Sequence, residues 1–353
     1  MVKEIVVDYK ILQAYTAALF QARGLAAEDA NFVAKSLVDT NLWGIDSHGV
    51  MRAPIYLKRL ETGAINAQPE IKTVKSAITM EVMDGDDGAG QVVGRVAMER
   101  AIQLAEQYNM GMVLVHRSNH FGAAAIYSRM AAEKGMIGLA MTNVVRNVVA
   151  PGGSKPVIGN NPFAVAIPTY GAFPFVLDIS LSSVAGGKLL LAKQKGEKIP
   201  MDWATDLEGR PTDDPEKAFN GFLLPVGGHK GLGLAYIVDI LSGVISGGVF
   251  LDAMKGMYKY PDDPSLTCFM MTAVNVKAIM LEEEMKERMG EFASQIKSSP
   301  MWDENREMMI PGEIEYRSSV KRKEQGIPLA EKLYDELMTL GKELGVSTAI
   351  SEL

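Results

Sequence analysis

The chain has 353 residues, of which 47% are hydrophobic and 22% are charged, and these ordinary globular proportions exclude a chain that is disordered throughout. Because single hydrophobic cores usually stop growing near roughly 250 to 300 residues, two packed units are expected. The formal net charge of -7 and the shortness of the longest basic run, residues 321–323, argue against a nucleic-acid or membrane partner and favour a small-molecule ligand.

At the amino terminus, the sequence MVKEIVVDYK is too short and too charged to be a signal peptide. No window of the sequence reaches the ~18 uninterrupted apolar residues that a membrane span needs. The single cysteine, Cys268, cannot form an internal disulfide, which agrees with a reducing compartment. The sequence therefore predicts a cytoplasmic protein.

Two amphipathic helices are predicted next. The first follows Asp8, a residue type that caps the amino termini of helices, and it ends at Gly24. The second occupies residues 27–43, where apolar residues recur at helical spacing, and it stops at Gly44. The chain is therefore expected to be mostly helical up to about residue 70.

The segment GIDSHGVMRAPIY sets His48, Arg52 and Tyr56 at four-residue spacing. If the segment is helical, these side chains share one face about one turn apart. Arginine binds a carboxylate through two parallel hydrogen bonds, and histidine exchanges its proton nearest neutral pH, so this face suits a 2-hydroxy or 2-keto acid. Pro54 is expected to bend the helix. The alternative is a surface helix whose histidine and arginine are simply solvated.

The middle of the chain is typical of an α/β or α+β protein. The run TMEVMDGDDGAGQ predicts a strand and a turn, followed by a helix over residues 93–108 and a buried strand over residues 110–116. Three short apolar runs then predict strands separated by Gly, Pro and Asn. Residues 196–220 are polar and rich in turn formers, which predicts a long surface loop.

The carboxyl-terminal third begins with a glycine-rich turn that opens into an apolar helix, in the run PVGGHKGLGLAYIVDILSG. A strand over residues 267–276 and an amphipathic helix over residues 278–296 are predicted to follow. A last helix is predicted with Pro328 at its first position and Gly345 beyond its end.

Two further histidines lie close together in the sequence. His116 closes an apolar strand and is expected to be structural, whereas His120 lies in a turn from which a side chain can face a cleft, so both roles stay open for it. No HExxH, CxxC or acidic cluster accompanies them, and no metal site is predicted. Ser47 precedes His48, but the chain has no G-x-S-x-G elbow, which argues against a serine hydrolase.

Two glycine-rich turns are candidates for phosphate binding. The run Gly88, Gly90 and Gly94 approximates a Rossmann turn, but its spacing departs by one residue and the next strand does not end in an acidic residue. The run GGHKGLG offers backbone amides at a helix start together with Lys230. It lacks the following Ser or Thr of a nucleoside-triphosphate loop. The alternative for this second turn is close helix packing through small residues.

Taken in order, several segments resemble the malate/L-lactate dehydrogenase family of the second type, whose members include ureidoglycolate and sulfolactate dehydrogenases, diketogulonate reductase and piperideine-carboxylate reductases. The segments are GIDSHGVMRAPIYLKRL, HRSNHFGAAAIYS, MTN, IGNNPFAVAIP, PFVLDIS, LLPVGGHKGLGLAYIVDILSG and IPGE. The resemblance spans roughly residues 44–313.

The resemblance implies an enzyme that transfers a hydride between NAD or NADP and a small 2-hydroxy or 2-keto acid such as malate or lactate. Reduction of cyclic imino acids, or of the other 2-oxo acids that the related enzymes use, is the alternative, and a non-catalytic binding protein is a more distant one. The implied fold is α/β, with a mixed-sheet cofactor domain that is not a Rossmann domain over residues 73–313. A helical domain over residues 1–72 and a segment over residues 314–353 pack together. The usual assembly is a homodimer with shared active sites.

By the same resemblance, His48 and His120 are the acid/base candidates, and the sequence does not rank them. The residues implied to face the substrate are Ser47, Arg52 and Tyr56. Those implied to bind the cofactor are Thr142, Asn143, Asp178, Ile179, Ser180, His229, Lys230, Pro311, Gly312 and Glu313. The resemblance therefore implies that the Gly88 turn does not bind the cofactor.

The chain departs from the family pattern in two places. Val144 stands where many relatives have a small hydroxyl residue, so one cofactor hydrogen bond is expected to be missing. Before the last strand, the chain has Thr267-Cys268-Phe269 where relatives tend to have Gly-His-Phe, and later Asn275 where they have Asp. These departures leave substrate and cofactor preference open.

Overall fold

The computed structural model describes residues 3–347, and its central feature is a seven-stranded mixed sheet. The helices are α1 (Tyr9–Ala22), α2 (Ala27–Leu42), α3 (Ala53–Thr62), α4 (Gly90–Tyr108), α5 (Ala125–Glu133), α6 (Gly186–Lys195), α7 (Pro215–Asn220), α8 (His229–Asp239), α9 (Glu282–Lys297), α10 (Glu313–Gln325) and α11 (Glu331–Glu343). The strands are β1 (Glu4–Val7), β2 (Lys72–Ser76), β3 (Met80–Asp84), β4 (Met110–Ser118), β5 (Ile137–Thr142), β6 (Val148–Val149), β7 (Pro156–Ile158), β8 (Phe163–Ile167), β9 (Phe175–Ile179), β10 (Ala204–Thr205), β11 (Phe222–Leu223), β12 (Thr267–Val274) and β13 (Ile327–Ala330).

The direction of the strands brings distant parts of the chain to one edge of the sheet. The strand order is β2-β3-β4-β12-β5-β8-β9. Strand β12 runs antiparallel to both β4 and β5, β3 is parallel to β4, and β8 is antiparallel to both β5 and β9. Strands β3, β4, β5 and β9 therefore run in the same direction, and their last residues lie at one edge. We call this the carboxyl edge.

At its middle strands β4, β12 and β5, the central sheet is buried on both faces, which explains the continuous apolar runs of these strands. On β4, Val113 and Val115 face a core formed with α4 and α5, whereas Leu114 faces a second core that contains Leu232 and Ala235 of α8. A strand alternates its side chains between faces, so each core receives every second residue. A smaller sheet with the order β10-β11-β6-β7 adjoins the second core.

The two ends of the chain meet in a third core. Strand β1 pairs antiparallel with β13, and Ile327 and Leu329 are buried together with apolar residues of α1, α2, α3 and α11. The predicted helix start at Pro328 is therefore wrong, since helix α11 begins only at Glu331. Pro328 is tolerated in β13 because a two-stranded sheet leaves one side of each strand unpaired. Strand β1 itself was not predicted.

Most of the other predicted elements are present, with shifted ends. Asp8 caps α1 by accepting hydrogen bonds from the backbone N–H groups of Lys10 and Ile11, at 2.8 and 3.0 Å. The predicted loop over residues 196–220 contains α7 and the short strand β10. Within residues 3–347, no helix is long and apolar enough to cross a membrane, and no cluster of three His, Cys, Asp or Glu side chains is placed to hold a metal ion.

Candidate active site

The segment that carries His48 and Arg52 is not the single helix that its spacing predicts. It forms two separate 3-10 turns, Asp46–His48 and Val50–Arg52, and only then enters α3. The break lies at Gly49, where a Cβ atom would stand 2.2 Å from the side-chain oxygen of Asn41. Asn41 binds this turn by accepting a hydrogen bond from the Val50 N–H at 2.8 Å. Pro54 lies in the first turn of α3, so it starts the helix and does not bend it.

His48, Tyr56 and His120 nevertheless come together. The rings of His48 and His120 stack with centroids 5.7 Å apart. The Tyr56 hydroxyl lies 2.5 Å from Nδ1 of His120, and the Ser47 hydroxyl lies 3.0 Å from Nδ1 of His48. Tyr56 is buried, whereas both imidazoles are half-buried and remain open to a ligand. His116 lies apart from this group, with its Nδ1 3.0 Å from the Ser246 carbonyl.

The hydrogen bonds of His120 define which nitrogen faces a ligand. The Gly122 N–H, which can only donate, lies 3.3 Å from Nδ1 of His120. Nδ1 is therefore assigned as the acceptor, and the proton of the neutral ring is assigned to Nε2. Among residues 3–347, Nε2 of His120 forms no hydrogen bond. This nitrogen is the one available to exchange a proton with a substrate.

Arg52 adds a positive charge beside the two rings. Its Nε donates to the Ser47 carbonyl at 2.8 Å, and its Nη1 donates to the Tyr258 hydroxyl. Burial, together with the charge of Arg52, lowers the pKa of His48 to about 4. Burial also holds the pKa of His120 well below its usual range, with added contributions from Arg52 and His48. Both imidazoles are therefore neutral at neutral pH.

The depressed pKa of His48 makes the stability of the protein depend on pH. The folded ring takes up a proton only near pH 4, whereas the unfolded ring does so near 6.5. The contribution of His48 to stability is thus complete above about pH 6.5 and is lost as the pH falls toward 4. We expect the free energy of unfolding, measured with urea, to fall less between pH 7.5 and 5 in His48→Gln than in the wild type. Equal pH dependence in the two proteins would contradict the assigned burial.

A buried arginine fixes the loop that precedes His120. The Arg59 side chain, 1% exposed, donates hydrogen bonds to the side chains of Asn119 and Ser265 at 2.9 and 3.0 Å. Asn119 in turn donates to the Asp87 carbonyl at 2.7 Å. Sequence reasoning missed Arg59, because a lysine-arginine pair within an amphipathic helix is more typical of a solvated face.

The Gly88 turn is filled by this same loop. Strand β3, α4 and the parallel strand β4 form a βαβ unit, which explains the likeness to a Rossmann turn. A Cβ atom on Gly90 would lie 2.3 Å from the Asn119 carbonyl oxygen and 2.4 Å from that of His120, and one on Gly94 would lie 2.6 Å from the Tyr127 ring. These glycines permit close packing of the His120 loop and α5 against α4, and they leave no space for a phosphate.

We therefore expect Gly90→Ala to displace the His120 loop. An overpacked site of this kind usually costs about 1–3 kcal/mol, so thermal denaturation should show a clear fall in Tm together with a loss of activity. Gly290→Ala is the matched control, since Gly290 lies within exposed α9 with no atom near its Cβ position, and its Tm should be unchanged or higher. Equal Tm values for Gly90→Ala and the wild type would contradict this packing.

Candidate cofactor residues lie at the carboxyl edge, at the ends of β5 and β9. Thr142 is the last residue of β5 and Asn143 follows it, but the side chains of both are already hydrogen-bonded within the protein. The Thr142 hydroxyl donates to the Cys268 carbonyl at 3.0 Å, and Asn143 binds the Cys268 N–H and the Val249 carbonyl at 2.9 and 3.0 Å. At the end of β9, the Asp178 carboxylate accepts from the Ala125 N–H at 2.8 Å, while burial raises its pKa to about 6.

The second glycine-rich turn lies next to the end of β9. The Val226 N–H donates to the Leu181 carbonyl at 3.0 Å, so the turn that begins at Gly227 lies close to the residues that follow β9. Among those residues, the Ser180 hydroxyl is 3.2 Å from the Ser182 hydroxyl.

This turn is open. Gly227 and Gly228 have φ values of 60° and 63°, and a Cβ atom at either position would meet no atom within 4 Å. His229 and Lys230 are exposed in the first turn of α8. Close helix packing accounts only for Gly231, whose Cβ position lies 2.0 Å from the Val226 carbonyl oxygen. The turn is thus an open group of backbone amides beside a lysine, which suits a phosphate.

The segment Pro311–Glu313 lies at the other end of β9, away from the candidate cofactor residues described above. The Val176 N–H donates to the Pro311 carbonyl at 3.1 Å, and the Cβ position of Gly312 lies 2.9 Å from the Pro174 carbonyl oxygen. These contacts are at the start of β9, about 13 Å from its end by strand geometry. Glu313 is buried and accepts hydrogen bonds from Lys297 and Arg317, both at 2.6 Å. Its carboxylate therefore serves the local structure.

The departures from the family pattern also have local structural roles. The Val144 N–H donates to the Asn161 side chain at 2.8 Å, and Asn275 accepts a hydrogen bond from the Lys277 N–H at 3.2 Å. Cys268 is buried in β12 beside Asn143.

Comparisons with known proteins agree with these features. The family described as malate/L-lactate dehydrogenase matches residues 7–338. The malate dehydrogenase of Pyrococcus abyssi is 42% identical over 92% of this chain and 90% of its own length. The L-sulfolactate dehydrogenase of Methanocaldococcus jannaschii is 40% identical over 92% and 93%. The solved structure of the sulfolactate dehydrogenase from Methanocaldococcus jannaschii superposes with a TM-score of 0.91 at 38% identity, over 97% of this chain and 98% of that one.

Proposed function

This chain belongs to the malate/L-lactate dehydrogenase family and is a hydroxyacid dehydrogenase, and from that premise we propose that it transfers a hydride between NAD or NADP and a small 2-hydroxy acid such as malate or lactate. The observation that carries the proposal is the convergence of Arg52, His48, Tyr56 and His120 in one half-buried group. Such a group offers a cation for a carboxylate and an imidazole for proton exchange.

The residues at the carboxyl edge fit a nicotinamide dinucleotide. The open amides of Gly227 and Gly228, the start of α8 and the exposed Lys230 suit its pyrophosphate. His229 and the Asp178–Ser180 segment lie in the same region of the fold, because residues 181–183 hydrogen-bond to residues 224–226. When bound, the cofactor supplies the hydride chemistry at C4 of its nicotinamide ring.

In the reducing direction, Arg52 would hold the substrate carboxylate through Nη2, which has no hydrogen bond to another residue within 3–347. His120 first takes up a second proton at Nδ1, and the protonated ring then gives its Nε2 proton to the C2 oxygen, which leaves a neutral ring whose remaining proton is on Nδ1 and is donated to Tyr56. When the substrate carboxylate binds Arg52, it offsets the positive charge that helps to lower the pKa of His120. Substrate binding therefore favours protonation of His120. The Tyr56 hydroxyl both donates and accepts, so it stays bonded to Nδ1 in either protonation state. Oxidation reverses these steps, so the neutral ring carries its proton on Nδ1, donated to Tyr56, when Nε2 accepts the hydroxyl proton. We thus assign proton transfer to His120 and substrate packing to His48 and Ser47.

The experiment that tests this proposal is a panel of substrates with both reduced cofactors. Pyruvate, oxaloacetate, sulfopyruvate, an oxidised ureidoglycolate, diketogulonate and piperideine-2-carboxylate are each incubated with NADH or NADPH, and cofactor oxidation is followed by absorbance. We expect turnover of at least one 2-keto acid with one of the cofactors. Turnover of the cyclic imine alone would favour the alternative, an imino acid reductase. Cofactor binding without any turnover would favour a binding protein.

We also propose a homodimer in a reducing, cytoplasmic compartment. Apolar side chains of α8 and its short π-helical extension (Ile240–Val244) are exposed to an unusual degree, including Leu234, Ile237, Ile240 and Val244 at 45% to 51%. Sedimentation velocity tests the dimer, and a monomer at micromolar concentration would contradict it. We further propose that contacts with the second subunit bring Pro311–Glu313 to a cofactor.

The division into a cofactor domain over residues 73–313 and a helical unit over residues 1–72 and 314–353 remains our proposal. It is supported by the shared core of the two chain ends. That the cofactor domain is not a Rossmann domain is supported by its single parallel strand pair, β3 with β4, among the pairs described in the large sheet. Limited proteolysis near residues 72 and 314 tests the division, and cleavage confined to other sites would contradict it.

A further inference from the structure

We propose that Tyr258 is a substrate-binding residue, whose hydroxyl donates a hydrogen bond to the same carboxylate that Arg52 binds. The inference rests on the proposed function and extends its site across about 200 residues of sequence, to the connection between α8 and β12.

Tyr258 is in direct contact with Arg52. Nη1 of Arg52 donates to the Tyr258 hydroxyl, and the guanidinium carbon lies 5.6 Å from the centroid of the Tyr258 ring. With Nε bound to the Ser47 carbonyl, the guanidinium is held on two sides and Nη2 is left for a ligand. A carboxylate oxygen at this end of Arg52 also lies within reach of the Tyr258 hydroxyl, because that hydroxyl is already in contact with the guanidinium.

The Tyr258 hydroxyl has an O–H group that is left to donate. A tyrosine hydroxyl accepts through its lone pairs and donates one proton. Here the oxygen accepts from Arg52, and no acceptor for its proton is present among residues 3–347. The phenol oxygen occupies Nη1 of Arg52 and leaves Nη2 for the carboxylate. An arginine and a hydroxyl donor side by side offer hydrogen bonds to a carboxylate from two directions, so they can fix its orientation.

The segment that carries Tyr258 is anchored to the rest of the protein. Its side chain is 61% exposed, so burial does not determine where it lies. Arg59 of α3 donates to the carbonyls of Tyr260 and Asp263 at 3.0 and 2.9 Å, and Lys255 pairs with Asp263 at 2.9 Å. Because α3 also carries Tyr56 and directly follows Arg52, one helix positions both sides of the carboxylate site.

The test compares Tyr258→Phe, Tyr258→Ala and the control Tyr260→Phe. Tyr260 is an exposed tyrosine of the same segment whose ring faces Lys259, and its backbone contact to Arg59 survives the substitution. For the best 2-keto acid of the panel, Tyr258→Phe should raise KM about 10-fold, the usual effect of removing a hydrogen bond to a charged group, with kcat within about twofold. Tyr258→Ala, which also loses the ring against Arg52, should raise KM further. Tyr260→Phe should match the wild type.

Binding of oxalate to the cofactor-loaded protein, measured by calorimetry, gives a readout that does not depend on turnover. We expect about 10-fold weaker oxalate binding in Tyr258→Phe, with unchanged cofactor affinity and unchanged Tm. Wild-type values of both KM and oxalate affinity in Tyr258→Phe would overturn the proposal, as would an equal loss of cofactor affinity and Tm, which would indicate a purely structural role. A wild type that binds oxalate but reduces no substrate would contradict the proposed function and leave the Tyr258 comparison intact.

Discussion

Replacing His120 with Asn is expected to lower kcat for the preferred 2-keto acid by about 10²- to 10⁴-fold, the range typical of removing a general acid or base. An asparagine oxygen is able to accept the hydrogen bonds that Tyr56 and Gly122 give to Nδ1, so the loop keeps its anchors. What the variant lacks is the exchangeable proton at Nε2. Steady-state kinetics with saturating cofactor gives the comparison.

The control for His120 is His48→Asn. His48 stacks on His120, and among residues 3–347 its ring hydrogen-bonds only to Ser47, so its loss should act mainly through substrate packing and lower kcat by about 10-fold or less. A larger loss of kcat in His48→Asn than in His120→Asn would reassign proton transfer to His48. Wild-type turnover in both variants would end the assignment of either imidazole to the chemistry.

Replacing Arg52 with Gln is expected to lower kcat/KM by about 10²-fold or more, because a charge-assisted hydrogen bond to the substrate carboxylate is lost. Arg52→Lys keeps the charge and loses the planar, two-donor geometry, so the two variants separate charge from geometry. Oxalate binding, measured by calorimetry, should weaken in both variants. Unchanged KM and oxalate affinity in Arg52→Gln would remove Arg52 from the substrate site.

The same pair of variants predicts a shift in pH dependence. The charge of Arg52 is one of the causes that lower the pKa of His48 and His120, so its removal in Arg52→Gln raises both values. Oxidation of the hydroxy acid needs a neutral imidazole, so its rate should begin to fall at a higher pH in Arg52→Gln than in the wild type. Arg52→Lys should keep the wild-type profile. A profile of log kcat/KM against pH that is identical in the Gln variant would exclude this electrostatic coupling.

Local patterns in the sequence predicted the elements whose causes are local. The Asp8 cap, the ends of α1 and α2 and the apolar runs of β4, β5, β8 and β9 depend on neighbouring residues. The glycine-rich start of α8 was also predicted, because positive φ and an open helix start have a recognisable composition. The cofactor-binding role of that turn stays a prediction.

Features set by distant contacts were not predicted. The break at Gly49 depends on Asn41, and the strand at Pro328 depends on β1 at the other end of the chain. The contacts of Arg59 and Arg52 with the 258–265 segment join residues about 200 positions apart, so no local pattern reveals them. Likewise, the meeting of His120, Asn143 and Ser180 at one edge follows from the antiparallel insertion of β12 between β4 and β5, which hydrophobic periodicity does not encode.

The most direct test follows the hydride itself. Reduced cofactor carrying deuterium at both C4 positions is incubated with the preferred 2-keto acid, and the hydroxy acid formed is analysed by mass spectrometry. The proposed mechanism predicts one deuterium at C2 of the product with the wild type, and almost none in the same time with His120→Asn. A product without deuterium, or equal label from the His120 variant, would contradict the proposal that this group of side chains performs hydride transfer.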